Sequence, residues 1–129
     1  MLPLRYGHYL LWAGLLALAA GLGVALQRQS DLLPLFVLSD KLYHAVAFAL
    51  FAIWFGGLVQ LRRLWVVAAG LLAYGALVEV AQSFTSYRRA DGFDLAADAL
   101  GILVGLLLSA AGLRHWGRLV ESWLVDRPR

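Results

Sequence analysis

EVAQSFTSYRRADGFDLAAD, residues 79 to 98, gathers Glu79, Gln82, Arg88, Arg89, Asp91, Asp94 and Asp98 into one short stretch of an otherwise apolar chain. Glu79 and Asp98 sit inside runs that read as lipid-soluble, where an ionisable group costs roughly 2 to 3 kcal/mol on insertion scales. The stretch is therefore the turn of a helical hairpin. Asp94, Asp98, Gly101 and Gly105 step by four, three and four, so two carboxylates continue into a Gly-x-x-x-Gly surface on one helix stripe. A stripe of that kind must face protein and not lipid.

Composition says what surrounds the hairpin. The chain has 129 residues, of which 62% are hydrophobic, with a mean hydropathy of +0.75. Charged residues make up 15%, below the roughly 25% of soluble domains, and they cluster between apolar runs. An integral membrane protein is expected. A transmembrane barrel would alternate strictly over about ten residues, whereas these runs are longer and carry Ala, Leu and Gly at every phase, so the fold class is all-α and polytopic. There is no cysteine, which removes disulfides and thiolate metal sites. The net charge of +3 is arranged as a topology signal, which argues against a nucleic-acid surface.

Along the chain, four transmembrane helices are predicted over about 9–26, 42–59, 64–82 and 95–113, packed as an antiparallel bundle in a single domain. The first resembles a signal peptide in its early Arg5 and its small residues, but its length and the aromatic anchor Tyr6, Tyr9 and Trp12 predict a retained helix. The apolar segment Leu32 to Leu38 around Pro34 is too short to span and is expected along the interface. Ser39 and Asp40 are good N-cap types, and Asp40, His44, Phe48 and Phe51 fall on one face of the second helix. Trp65 opens the third helix at the interface. On that helix, Gly75, Glu79 and Gln82 share a face. In the tail, 114–125, Trp116, Leu119, Val120, Trp123 and Leu124 lie on one face opposite Arg114, Arg118 and Glu121, the pattern of an interfacial amphipathic helix.

Orientation follows from the basic residues. Arg5, Arg62, Arg63, Arg114, Arg118, Arg127 and Arg129 fall on one side, against Arg28, Lys41, Arg88 and Arg89 on the other. The positive-inside rule then places both termini in the cytoplasm. The acidic residues Asp31, Asp40, Glu79, Asp91, Asp94 and Asp98 all belong to the outer end.

This topology brings Asp40, Lys41 and His44, Glu79 and Gln82, and Asp94 and Asp98 to one outer membrane face under a loop carrying Arg88 and Asp91. Four readings of that constellation compete. In the first, Glu79 with Arg88 and His44 with Asp94 are buried pairs that pin the loop to the helices. In the second it is a binding or catalytic pocket, with Glu79, His44 and Asp94 as candidate acid–base groups and Arg88 taking an anionic phosphate or carboxylate. A third is a divalent metal site of His44, Glu79, Asp94 and Asp98, whose donors suit Mg, Mn or Zn but lack a His-x-x-x-His signature. The fourth is a proton or ion path, against which nothing ionisable continues from Gly101 to Leu113 or from Leu64 to Val78.

The pattern Asp40-Lys41-Leu42-Tyr43-His44, then Glu79-Val80-Ala81-Gln82, Arg88, Asp91, Asp94 and Asp98-Ala99-Leu100-Gly101 to Gly105 resembles the VanZ-like family of small bacterial membrane proteins. The resemblance covers about 35–107. The family's recurrent Asp-Lys-x-x-His falls on Asp40, Lys41 and His44, its Glu-x-x-Gln on Glu79 and Gln82, its Arg on Arg88 and its Asp on Asp94. Where many members have Asn four residues further on, this chain has Asp98, which adds a charge. The family's namesake is associated with teicoplanin-type glycopeptide resistance. The resemblance thus implies a role in the cell envelope, with a lipid-linked or cell-wall-related molecule as partner beside the bilayer itself.

Overall fold

The computed structural model describes Leu2 and residues 4–27, 40–86 and 92–125, with side chains for all of these except Asp40, Leu124 and Val125. Among the described residues the chain is all-helical. The helices are α1 (Gly7–Ala25), α2 (Asp40–Gly56), α3 (Leu64–Ser83), α4 (Gly92–Ala110) and α5 (Trp116–Val125), with short 3-10 turns at Leu61–Arg63 and Leu113–His115 before α3 and α5.

Three helical segments, Gly7–Ala25, Leu61–Ser83 and Gly92–Ala110, are long and apolar enough to cross a membrane. Many of their large side chains point outward: Leu16 is 69% exposed, Trp65 70% and Leu107 60%. Such faces suit lipid better than water. α2 is shorter, 17 residues, or about 25 Å at 1.5 Å per residue, some 5 Å less than a typical hydrocarbon core. It begins at Asp40 and ends at Gly56, not at 42 and 59. The paired Gly56-Gly57 releases the helix early, and Gly57 is buried against the Trp116 indole. α4 likewise starts at Gly92 and stops at Ala110, where Gly112 turns the chain at a φ of 141°, a conformation that glycine alone adopts readily.

The tightest packing is between α2 and α4, and its cause is legible in the small residues. A Cβ on Gly101 would fall 2.1 Å from the Ala45 carbonyl oxygen, and one on Gly105 would fall 2.4 Å from that of Ala49. Further along, Gly56 makes room for the Ser109 side chain. The two helices therefore run side by side in the same direction, backbone against backbone, as small-residue stripes permit. Asp94, Asp98, Gly101, Gly105 and Ser109 are all buried, so the stripe does face protein. Phe48, Ala52, Val67, Leu71 and Ile102 form the apolar core beside it.

α1 is held differently. Trp54 Nε1 donates to the Leu10 carbonyl at 3.1 Å, Tyr74 Oη to Leu18 at 2.7 Å and Gln82 Nε2 to Ala25 at 3.0 Å. Gly14 lies against Trp54 and Phe55, and Gly21 against Tyr74 and Phe51. At the opposite end, Glu121 of α5 accepts from the backbone N–H of Arg5 and of Tyr6, in the turn that leads into α1. α5 itself docks through Trp116, whose ring lies 4.5 Å from that of Trp54 and whose Nε1 donates to the Ile53 carbonyl at 3.2 Å. Leu119 and Trp123 on the same helix remain 68% and 59% exposed, as an apolar face lying in an interface would be.

Candidate functional site

The first turns of α2 and α4 and the last turns of α3 meet at one end of the molecule. On α2, Lys41 and His44 are three apart, and on α4, Asp94 and Asp98 are four apart, so each pair projects on one face. Because α2 and α4 run in the same direction, the pairs meet as two rungs. Lys41 Nζ lies 3.3 Å from Asp94 Oδ1, and His44 Nδ1 lies 2.8 Å from Asp98 Oδ1. Directly beyond the second rung, the glycine contact of Gly101 with Ala45 closes the helix pair.

The rungs differ in surroundings. Lys41 is half exposed and Asp94 buried, whereas His44 is 9% exposed and Asp98 is fully buried. Phe48, one turn further into α2, lies nearly parallel to the His44 ring with centroids 6.4 Å apart. The second Asp98 oxygen, Oδ2, is buried with no hydrogen-bond partner among the described residues. It occupies the space that a side chain on Gly75 would need, 2.6 Å from a Cβ built there. The Oδ1 contact holds the His44 imidazole from its Nδ1 side.

α3 completes the cluster. Glu79, 9% exposed, brings a carboxylate oxygen to the group in which donor atoms of His44, Glu79 and Asp94 all lie within 4.8 Å of one another. Gln82 is buried too, but its amide donates to α1 and holds that helix. Asp40 begins α2, and its side chain, with Arg88 and Asp91, lies outside the described residues, as does the Leu32–Leu38 segment. The expected pairing of His44 with Asp94 is a pairing with Asp98 instead, because Lys41, one turn earlier on α2, takes Asp94.

Two participants carry weaker sequence signals. Ser109 extends the stripe from Gly105 by another four residues and is fully buried, so the i, i+4 rule could have placed it. Glu121 reads as part of a solvated face, and its bonds to the Arg5 and Tyr6 amides join residues too far apart in sequence for any local pattern to reveal. No family model, curated protein or solved structure matches the chain.

Chemically, the site combines one oriented imidazole, three carboxylates and an ammonium group at the rim. It can hold a polar group against an apolar interior, exchange a proton through His44, or ligate a cation.

Proposed function

We propose that the chain is a VanZ-like integral membrane protein of the bacterial cytoplasmic membrane. In this reading α1 to α4 cross the bilayer as an antiparallel bundle, both termini are cytoplasmic, and the site faces outward. The short α2 then sits with its polar first turn at the membrane surface, which accommodates its deficit in length. The site binds, or acts on, the anionic headgroup of a lipid-linked or cell-wall-related molecule, with His44 as acid–base group and Lys41 at the rim. Teicoplanin-type resistance is the phenotype that the family resemblance suggests.

The observation that carries the reading is the convergence of Lys41, His44, Glu79, Asp94 and Asp98 from three helix ends, beside a hydrogen bond between two buried titratable groups. Polar groups so placed are costly in an apolar chain and mark functional sites more often than scaffolding. The test is Glu79→Gln, assayed for abundance, for lipids retained in native nanodiscs and for teicoplanin susceptibility. Normal abundance with loss of a retained phosphate-bearing lipid is expected.

A second reading, a non-enzymatic adaptor whose polar groups lock the helices, is favoured by Gln82 and Tyr74, which bind backbone carbonyls of α1. It expects Glu79→Gln to lower abundance and function together.

A further inference from the structure

The site as described has a difficulty as an anion receptor. Glu79, Asp94 and Asp98 place three carboxylates around one imidazole, and Lys41 already pairs with Asp94 at 3.3 Å. A phosphate brought to these groups alone meets like charge at close range in a medium of low dielectric. The same groups are, however, well suited to an ion of opposite sign.

We propose that His44, Glu79 and Asp94 bind one divalent cation of the Mn²⁺ or Zn²⁺ type, and that this ion receives the anionic group. The inference rests on the reading of this end of the molecule as a binding site. Three lines of geometry support it. Donor atoms of His44, Glu79 and Asp94 lie within 4.8 Å of one another, and ligands on a shared ion, at about 2.1 Å each, stand roughly 3 to 3.5 Å apart. Small side-chain rotations close that gap. The second line is Asp98. A histidine that ligates a metal through one nitrogen almost always donates its other N–H to a carboxylate or carbonyl, and the 2.8 Å contact from Nδ1 to the fully buried Asp98 is that arrangement. Asp98 is thus a positioning residue for the His44 imidazole. The third is the donor set: two carboxylates and one imidazole suit Mn²⁺ and Zn²⁺ better than the all-oxygen preference of Ca²⁺ or the largely hydrated state of Mg²⁺. Three protein donors leave positions open for oxygens of a headgroup.

The experiment uses full-length protein in nanodiscs, treated with chelator and dialysed. It is titrated with MnCl₂ or ZnCl₂ by calorimetry, with Co²⁺ absorption in the visible as a report on ligand geometry. One ion per chain is expected. Affinity should fall at least tenfold in each of His44→Gln, Glu79→Gln and Asp94→Asn. Asp98→Asn should weaken binding by roughly 10- to 100-fold and shift the Co²⁺ bands while the helical content stays intact. Binding should be unchanged in His8→Gln and His115→Gln, the surface histidines. Absence of stoichiometric binding, binding that survives Glu79→Gln with Asp94→Asn in a folded protein, or binding lost in the surface variants would each overturn the ion site. A phosphate-bearing lipid still retained by chelated protein that takes up no ion overturns the ion and leaves the headgroup reading standing. Stoichiometric ion binding without any retained lipid supports the ion and removes the headgroup reading.

Discussion

Gly101→Ala tests the link between packing and site in a single methyl group. The added Cβ falls 2.1 Å from the Ala45 carbonyl oxygen, 2.8 Å from its carbonyl carbon and 2.9 Å from its Cα. All three are backbone atoms, so no rotamer change relieves the clash. A weak C–H···O contact requires about 3.3 Å, and α4 must therefore retreat from α2 by roughly 1.2 Å. Asp98 is one turn away on the same helix. Rigid movement of that size stretches its 2.8 Å bond to His44 to roughly 4 Å, beyond hydrogen-bond range. Overpacking costs about 1 to 3 kcal/mol and a broken buried polar pair a further 1 to 3 or so, so a loss of about 2 to 6 kcal/mol is expected. Thermal unfolding in detergent reads the stability, and the ¹⁵N shift of the His44 ring reads the bond. The matched control is Gly70→Ala, where nothing lies within 4 Å and better helix propensity should give up to about 1 kcal/mol of stabilisation. A Gly101→Ala protein that melts with Gly70→Ala, or a His44 resonance that does not move, would refute the coupling of helix packing to the site.

Glu121→Gln weakens the acceptor in front of α1 and should cost about 1 kcal/mol, seen as faster hydrogen exchange at the Arg5 and Tyr6 amides. Trp116→Ala removes the ring packed on Trp54 and the bond to Ile53, for about 2 kcal/mol together, and limited proteolysis should then cut α5 first. Cysteines introduced at Ser86 and Ser122, both exposed, report orientation in intact cells. Impermeant reagent should reach position 86 alone, and labelling at 122 in its place would invert the topology.

Helix positions were legible to within a few residues because the apolar runs are long and bounded by charge. The stripe of Asp94, Asp98, Gly101 and Gly105 was legible in full, since its period is that of the helix. Its partner was not: that α2 supplies Ala45 and Ala49 depends on which helices become neighbours, and alanines are common on every face of this chain. Within the site, His44 was identified and its partner misassigned. Asp94 and Asp98 are equally spaced candidates, and only the axial register of α2 against α4 decides between them. Gln82 shared a face with Glu79 by spacing, yet three residues on a helix differ by about 60°, enough for one side chain to meet α1 and the other to meet the cluster.

The attachment of α1 has a consequence for how freely its sequence can vary. Leu10, Gly14, Leu18, Gly21 and Ala25 follow spacings of four, four, three and four along one stripe, and the donors from Trp54, Tyr74 and Gln82 meet main-chain oxygens at three of them. A carbonyl within a helix has a second lone pair to offer, whatever side chain its residue carries. The rest of the molecule therefore recognises α1 largely through its main chain, with the Leu18 side chain packed on the core besides. An apolar helix with small residues at positions 14 and 21 and a core-filling side chain at 18 meets the same contacts, so most other positions of this segment are open to exchange.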